Sequence, residues 1–174
     1  TEELNNYFTN ALDLFCIIDL EGRFKRLNRT WETTFGYSLN ELEGALLLNY
    51  VHSEDSQSTN AALSSLLNNN DVLNFVNRHR CKDNSYKWLE WRASRVESMI
   101  YAAARDITER KIAEENLREA NSKLEAAVKQ LTETQKQVLF QEKMRSLGQM
   151  TSGICHDINN ALTPIMGYVD ILIS

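Results

Sequence analysis

The chain has 174 residues, 43% of them hydrophobic and 25% charged, and a formal net charge of -5, which is the composition of a protein with a buried core. The negative balance removes the lysine- and arginine-driven attraction to phosphate that nucleic-acid binding and anionic membranes require, so neither partner is expected. Three cysteines, Cys16, Cys81 and Cys155, show neither disulfide nor zinc spacing, and the longest apolar runs fall far short of the roughly 20 residues of a membrane span. A reducing, cytoplasmic setting is expected for this stretch. The opening "TEEL" and the stop at "DILIS" inside a helical pattern read as an excerpt of a longer protein, which could be membrane-anchored elsewhere.

In chain order, "LFCIID" and "FKRLN" are short strand-like runs joined by "LEGR", whose Gly22 can take positive φ, and they read as a hairpin. "YSLNELEG" carries a capping box between Ser38 and Glu41, with Gly44 ending a short helix. A second helix follows in "HSEDSQSTNAALSSLL" and stops at "NNND". Then "VLNFVNRHRC", "YKWLEWRASRV" and "MIYAAARD" are rich in β-formers and read as three strands. The order predicts an α+β fold, a five-stranded antiparallel sheet with helices on one face.

After about residue 105 the turn residues almost vanish. "DITERK" predicts a helix start with Asp106 as N-cap and Glu109 as its partner. Leu117, Leu124, Leu131 and Val138 then recur every seven residues with mixed charges between them, the pattern of a two-stranded coiled coil. A second register runs through Phe140, Leu147, Ile154, Ala161 and Tyr168, with Met144, Thr151, Ile158, Ile165 and Leu172 on the adjacent row. The two registers differ in phase, so the seam must adjust near Val138 to Met144. A single such helix cannot bury its stripe, and heptads favour a copy of the same chain, which predicts a parallel homodimer.

Within the second register lies "GICHDINNALTP". With Ile154 and Ile158 on the seam, His156 falls at the position farthest from a partner helix, and Asn160 shares its face one turn on. One reading is a solvated helical face. The other is chemical: a neutral imidazole attacks phosphorus without metal activation, Asp157 fixes its tautomer, and Asn160 positions water for the reverse hydrolysis. Pro164 removes a helical hydrogen bond to the carbonyl of Asn160, which predicts a kink past the polar cluster, or else marks where the register loosens.

The stretch "EKMRSLGQMTSGICHDINNALTPIMGYVDIL" resembles the phosphoacceptor helix of sensor histidine kinases, in the subgroup whose motif reads roughly His-Asp-x-Asn-Asn-x-Leu. The resemblance implies His156 as acceptor of the ATP γ-phosphoryl group, Asp157 as its acidic partner, and Asn160 in dephosphorylation. It also implies a response-regulator receiver domain as the next acceptor, and an ATP-binding domain of the same protein that uses ATP and Mg2+. Many family members carry the proline five residues after the histidine, whereas here it falls eight after.

Residues 14 to 111 resemble a PAS sensor domain through "LFCIIDLEGRFKRLNRTWETTFGYSLNELEG", "HSED", "YKWLEWRASRV" and "RDITERK". This implies a signal junction at Asp106 and Thr108. The expected organisation is a PAS sensor with an N-terminal flanking helix at 1–106, a coiled-coil signalling helix at 107–143, and a truncated phosphotransfer helix at 144–174. The signal is unspecified. Cys16 lacks a flavin-adduct motif and reads as a small core residue, the long helix has no haem-ligating histidine, and His52 belongs to a helix start. His79 reads as a surface or packing residue. Trp31, Trp88 and Trp91 could line a flavin pocket or pack in the sheet. No cofactor and no metal are expected in this fragment, which should be inactive alone for want of an ATP-binding domain. The alternative is a PAS dimerisation adaptor without phosphotransfer chemistry.

Overall fold

The computed structural model describes the backbone of residues 2–173, and the side chains of all of these except 2, 4, 149, 152, 157 and 163–173. Two compact units are present, Thr1–Asn116 and Leu117–Ser174.

In the first unit, α1 (Glu2–Asn10) precedes β1 (Leu14–Asp19) and β2 (Phe24–Leu27). The hairpin between these strands turns at Gly22, whose φ of 84° suits a residue without a Cβ. Next come α2 (Thr30–Phe35), α3 (Leu39–Leu42), two 3-10 turns (Leu47–Tyr50 and Ser53–Asp55) and α4 (Ser56–Leu67). The capping box of α3 forms as read from the sequence: the Glu41 amide donates to Ser38 Oγ and the Glu41 carboxylate accepts from the Ser38 amide. His52 caps the second 3-10 turn, its Nδ1 accepting from the Glu54 amide.

Strands β3 (Val72–Arg80), β4 (Tyr86–Val96) and β5 (Met99–Asp106) complete an antiparallel sheet of order β2-β1-β5-β4-β3. The first and last strands are therefore neighbours, with Cys16 opposite Ala102. Period-two alternation sends Leu14, Cys16, Ile18, Leu89, Trp91, Ile100 and Ala102 to the face covered by the helices. Trp31 and Phe35 of α2, Leu42 of α3 and Leu66 of α4 close on them. Phe24, Leu14, Ile18, Leu42, Leu89 and Ile100 are under 2% exposed, each burial stabilising the fold by about 1.5–3 kcal/mol.

Buried Asn28, 1% exposed, locks the start of β1 to the end of β2. Its Oδ1 accepts from the Phe15 amide at 3.0 Å and its Nδ2 donates to the Asp13 carbonyl at 2.9 Å.

The described residues of the second unit lie within α5 (Thr108–Ile173), which the backbone holds through Pro164 as one helical span. In the single chain its heptad residues are bare: Leu117, Leu124, Leu131, Leu147 and Ile154 are each 58% exposed or more. No helix among the described residues is long and apolar enough to cross a membrane.

Candidate functional site

Three places carry the chemistry: the root of α5, the interior of the sheet domain, and the polar face around His156.

At the root, the chain stays in sheet register one residue longer than the sequence suggests, because the Ile107 amide donates to the Trp88 carbonyl at 2.9 Å. The helix therefore begins at Thr108, and Asp106 does not act as the expected N-cap paired with Glu109. Instead Asp106 Oδ1 accepts from the Thr108 amide at 2.9 Å and from its hydroxyl at 2.6 Å, a side-chain turn that still satisfies an orphan helical donor. Lys87 Nζ lies 2.7 Å from the other oxygen, Oδ2. Burial acts to raise the Asp106 carboxyl, but the Lys87 and Thr108 bonds outweigh it and hold it below the ordinary carboxylate range. Thr108 Oγ1 in turn accepts from the Trp88 amide at 2.9 Å. Asp106 and Thr108, singled out from the sequence, are thus joined to each other and to β4.

Inside the domain, β3 and β4 present Asn77, His79 and Trp91 to the helices. Trp91 Nε1 donates to Asn77 Oδ1 at 2.7 Å, and Asn77 Nδ2 donates to Thr59 Oγ1 on α4 at 3.0 Å. This satisfied polar set borders a small apolar cavity of about 40 Å³, whose other walls include Ile18, Leu63, Leu66 and Phe75.

His79 stands beside it among Trp31, Phe35 and Trp91, with ring centroids 5.4 to 6.4 Å away. It is 1% exposed, so the packing alternative holds and the surface one does not. Neither ring nitrogen finds a hydrogen-bond partner among the described residues. Burial drives its pKa down from 6.5 to about 3, keeping the ring neutral. Cys16 is 2% exposed, and burial pushes its thiol pKa up, which fits an inert core residue. Trp31 and Trp91 are core residues, whereas Trp88 is half-buried beside the root of α5.

On α5, His156 is exposed, and Asn160 Nδ2 lies 3.1 Å from its Nδ1. The i, i+4 spacing puts both side chains on one face. Gly153, three residues earlier on the same face, leaves open space where a side chain would stand. The contact governs the ring's tautomer. An Asn160 N–H donating to Nδ1 leaves the ring proton on Nε2, whereas the amide turned over accepts from Nδ1–H and leaves the Nε2 lone pair outward. Asp157 and Pro164 lie outside the residues whose side chains the structure describes. His156 belongs to the second unit, and Asp106 and Thr108 to the first. Among the described residues no cluster of three or more His, Cys, Asp or Glu side chains could hold a metal ion.

Sequence reasoning did not single out Asn77, Thr59 or Asn28. Polar residues on half-buried strands and helices look the same on paper whether they face water or one another.

Comparison with known proteins adds four findings. Residues 24–99 match the family described as PAS fold. The chain is 24% identical over 190 residues to Sporulation kinase C of Bacillus subtilis, a match that takes in 99% of this chain and 38% of that protein's length. Among solved structures, a domain of the sensory box sensor histidine kinase/response regulator from Geobacter sulfurreducens superposes with a TM-score of 0.55 at 20% identity. That match covers 60% of this chain and 92% of the other. A PAS domain from Colwellia psychrerythraea superposes with a TM-score of 0.57 at 21% identity, over 62% of this chain and 97% of the other.

Proposed function

The chain carries a PAS domain leading into one long helix, and from that premise we propose that it is the sensory and phosphoacceptor part of a two-component histidine kinase. Residues 1–106 act as the sensor, 107–143 as a coiled-coil signalling helix, and 144–174 as the first helix of the dimerisation and phosphotransfer domain. The likeness to a kinase across nearly the whole chain supports this reading.

The observation that carries it is the exposed His156 with Asn160 against its Nδ1. An outward imidazole is what a phosphoacceptor needs, because an ATP-binding domain and then a receiver domain must both reach it. In the tautomer with the proton on Nδ1, the Nε2 lone pair attacks the γ-phosphorus: the P–N bond forms, the bond to ADP breaks, and the Asn160 carbonyl oxygen holds the Nδ1 proton. Asp157, the neighbouring carboxylate, supports the positive charge that develops on the ring. In dephosphorylation Asn160 positions the attacking water, whose oxygen bonds to phosphorus as the P–N bond breaks, releasing phosphate and the neutral ring. ATP supplies the phosphoryl group and Mg2+ neutralises its charge, both held by an ATP-binding domain of the same protein.

Partners follow from the same chemistry: a second copy of the chain on the bare heptad stripe, a response-regulator receiver domain at His156, and neither nucleic acid nor membrane. The setting is cytoplasmic. No flavin or haem is proposed in the sensor, and an absorption spectrum of the purified chain tests this.

The competing reading is an adaptor whose helix docks partners without chemistry. His156→Ala in the full-length protein separates the two. Loss of signalling output with dimerisation intact is expected, whereas unchanged output would sink the phosphotransfer reading.

A further inference from the structure

If α5 carries the output of the PAS domain, as proposed above, something must connect the interior of that domain to the root of the helix. The first half of such a connection starts at the cavity wall. The Trp91 to Asn77 to Thr59 bonds continue in the Thr59 hydroxyl, which donates to the Asp55 carbonyl at 2.7 Å.

Asp55 also holds Arg78 of β3. Its carboxylate accepts from the Arg78 amide at 2.8 Å, from Nε at 2.9 Å and from a terminal nitrogen at 2.7 Å, while Glu54 takes a fourth bond at 2.8 Å. The Asp55–Arg78 bonds are made by half-buried groups, with 23% of the Arg78 side chain and 16% of Asp55 exposed, whereas Glu54 is 73% exposed. The Arg78 bonds hold the Asp55 carboxyl below its ordinary range, and the two carboxylates raise the Arg78 guanidinium above its own.

The second half runs through Trp88, opposite Arg78 in the β3–β4 register. The Arg78 guanidinium lies 5.1 Å from the centre of the indole, and the Lys111 ammonium of α5 lies 6.0 Å from it. Two cations thus share one aromatic ring. The backbone of the same residue binds the helix root from both sides: the Trp88 amide donates to Thr108 Oγ1 and its carbonyl accepts from Ile107, each at 2.9 Å.

We infer that Arg78 and Trp88 are positioning residues that couple the cavity-bordering Thr59–Asn77 pair to the first turn of α5. Arg78 is fixed by the start of α4, and through the indole it sets where β4 holds Ile107 and Thr108. A change in the packing of α4 against the cavity therefore reaches the helix root through one guanidinium and one indole.

Contiguity becomes coupling only when the two ends share an energy, which a mutant cycle measures. The test uses this chain and follows backbone hydrogen exchange at Ile107 and Lys111, with Asn28, whose amide donates to the Phe15 carbonyl and which does not border the cavity, as the internal reference. Thr59→Val keeps the side-chain shape and removes both hydroxyl bonds. It is expected to speed exchange at Ile107 and Lys111 about threefold while Asn28 is unchanged, and Arg78→Met is expected to abolish that response. Arg78→Lys keeps a cation near the ring but loses the multiple bonds to Asp55, and gives an intermediate response. Lys82→Met, which breaks the Lys82–Glu41 ion pair, leaves all three amides unchanged.

The inference is overturned if Thr59→Val leaves Ile107 and Lys111 unaltered, if Asn28 accelerates equally, or if the effects of Thr59→Val and Arg78→Met simply multiply. Its failure is distinct from failure of the kinase reading. Coupled exchange together with a full-length protein that never labels His156 would leave the relay standing and remove the kinase.

Discussion

His79 makes the domain sensitive to acid in a way that can be calculated. In the folded chain the ring is 1% exposed among three aromatic rings and its pKa is driven down to about 3, against an ordinary 6.5. The unfolded chain therefore binds one more proton than the folded chain between these values, so stability is fully present above pH 6.5 and is lost as the pH falls through that window. At about pH 5 the loss is roughly 1.5 pH units at about 1.36 kcal/mol each, or about 2 kcal/mol. His79→Phe keeps an aromatic ring of similar shape, removes the two unpartnered nitrogens, and removes the proton uptake. Urea unfolding followed by tryptophan fluorescence at about pH 7.5 and about pH 5 measures the difference. The advantage of His79→Phe over the native chain should grow by about 2 kcal/mol between the two conditions. Equal pH dependence in both chains would refute the reasoning, because it would mean that the imidazole protonates in the folded state at no cost.

Other expectations are as direct. Glu97 holds a φ of 54° in the two-residue turn between β4 and β5. Glu97→Gly should therefore stabilise the domain by roughly 0.5–1 kcal/mol in a thermal melt. Asn28→Ala removes the bonds to Phe15 and Asp13 and leaves a buried amide unpaired, at a cost of about 2–3 kcal/mol by urea unfolding. Leu124→Glu combined with Leu131→Glu places charge on the heptad stripe; with a second copy seated there as proposed, the pair should shift the chain from dimer to monomer in sedimentation equilibrium without altering the spectrum of the sheet domain.

The strands were legible because alternation and turn chemistry agree. "LFCIID" must bury Leu14, Cys16 and Ile18 together, and Gly22 and the Ser38 capping box mark where the chain turns. The long helix was legible because nothing in 107–163 interrupts it. The start of that helix was less so: Asp106 reads as an N-cap, but tertiary pairing of Ile107 with Trp88 overrides local preference and moves the first turn to Thr108. His79 was legible as a strand residue but not as a buried one, since its burial depends on α2 bringing Trp31 and Phe35 over β3. The i, i+4 spacing of His156 and Asn160 was enough to place them on one face, because a helix fixes that distance locally, but the approach of the Asn160 amide to the ring came only with the structure. The Asp55–Arg78–Trp88 set was invisible for the opposite reason: its members come from separate elements, and only the sheet register places them together.

The most direct measurement is the site of phosphate in the full-length protein incubated with Mg2+ and labelled ATP. Phosphate that is stable to alkali, labile to acid, mapped to His156 and absent from His156→Ala is the expected result. Label that persists in His156→Ala, or its absence from a full-length protein shown to bind ATP, would contradict the assignment of His156 as the phosphoacceptor.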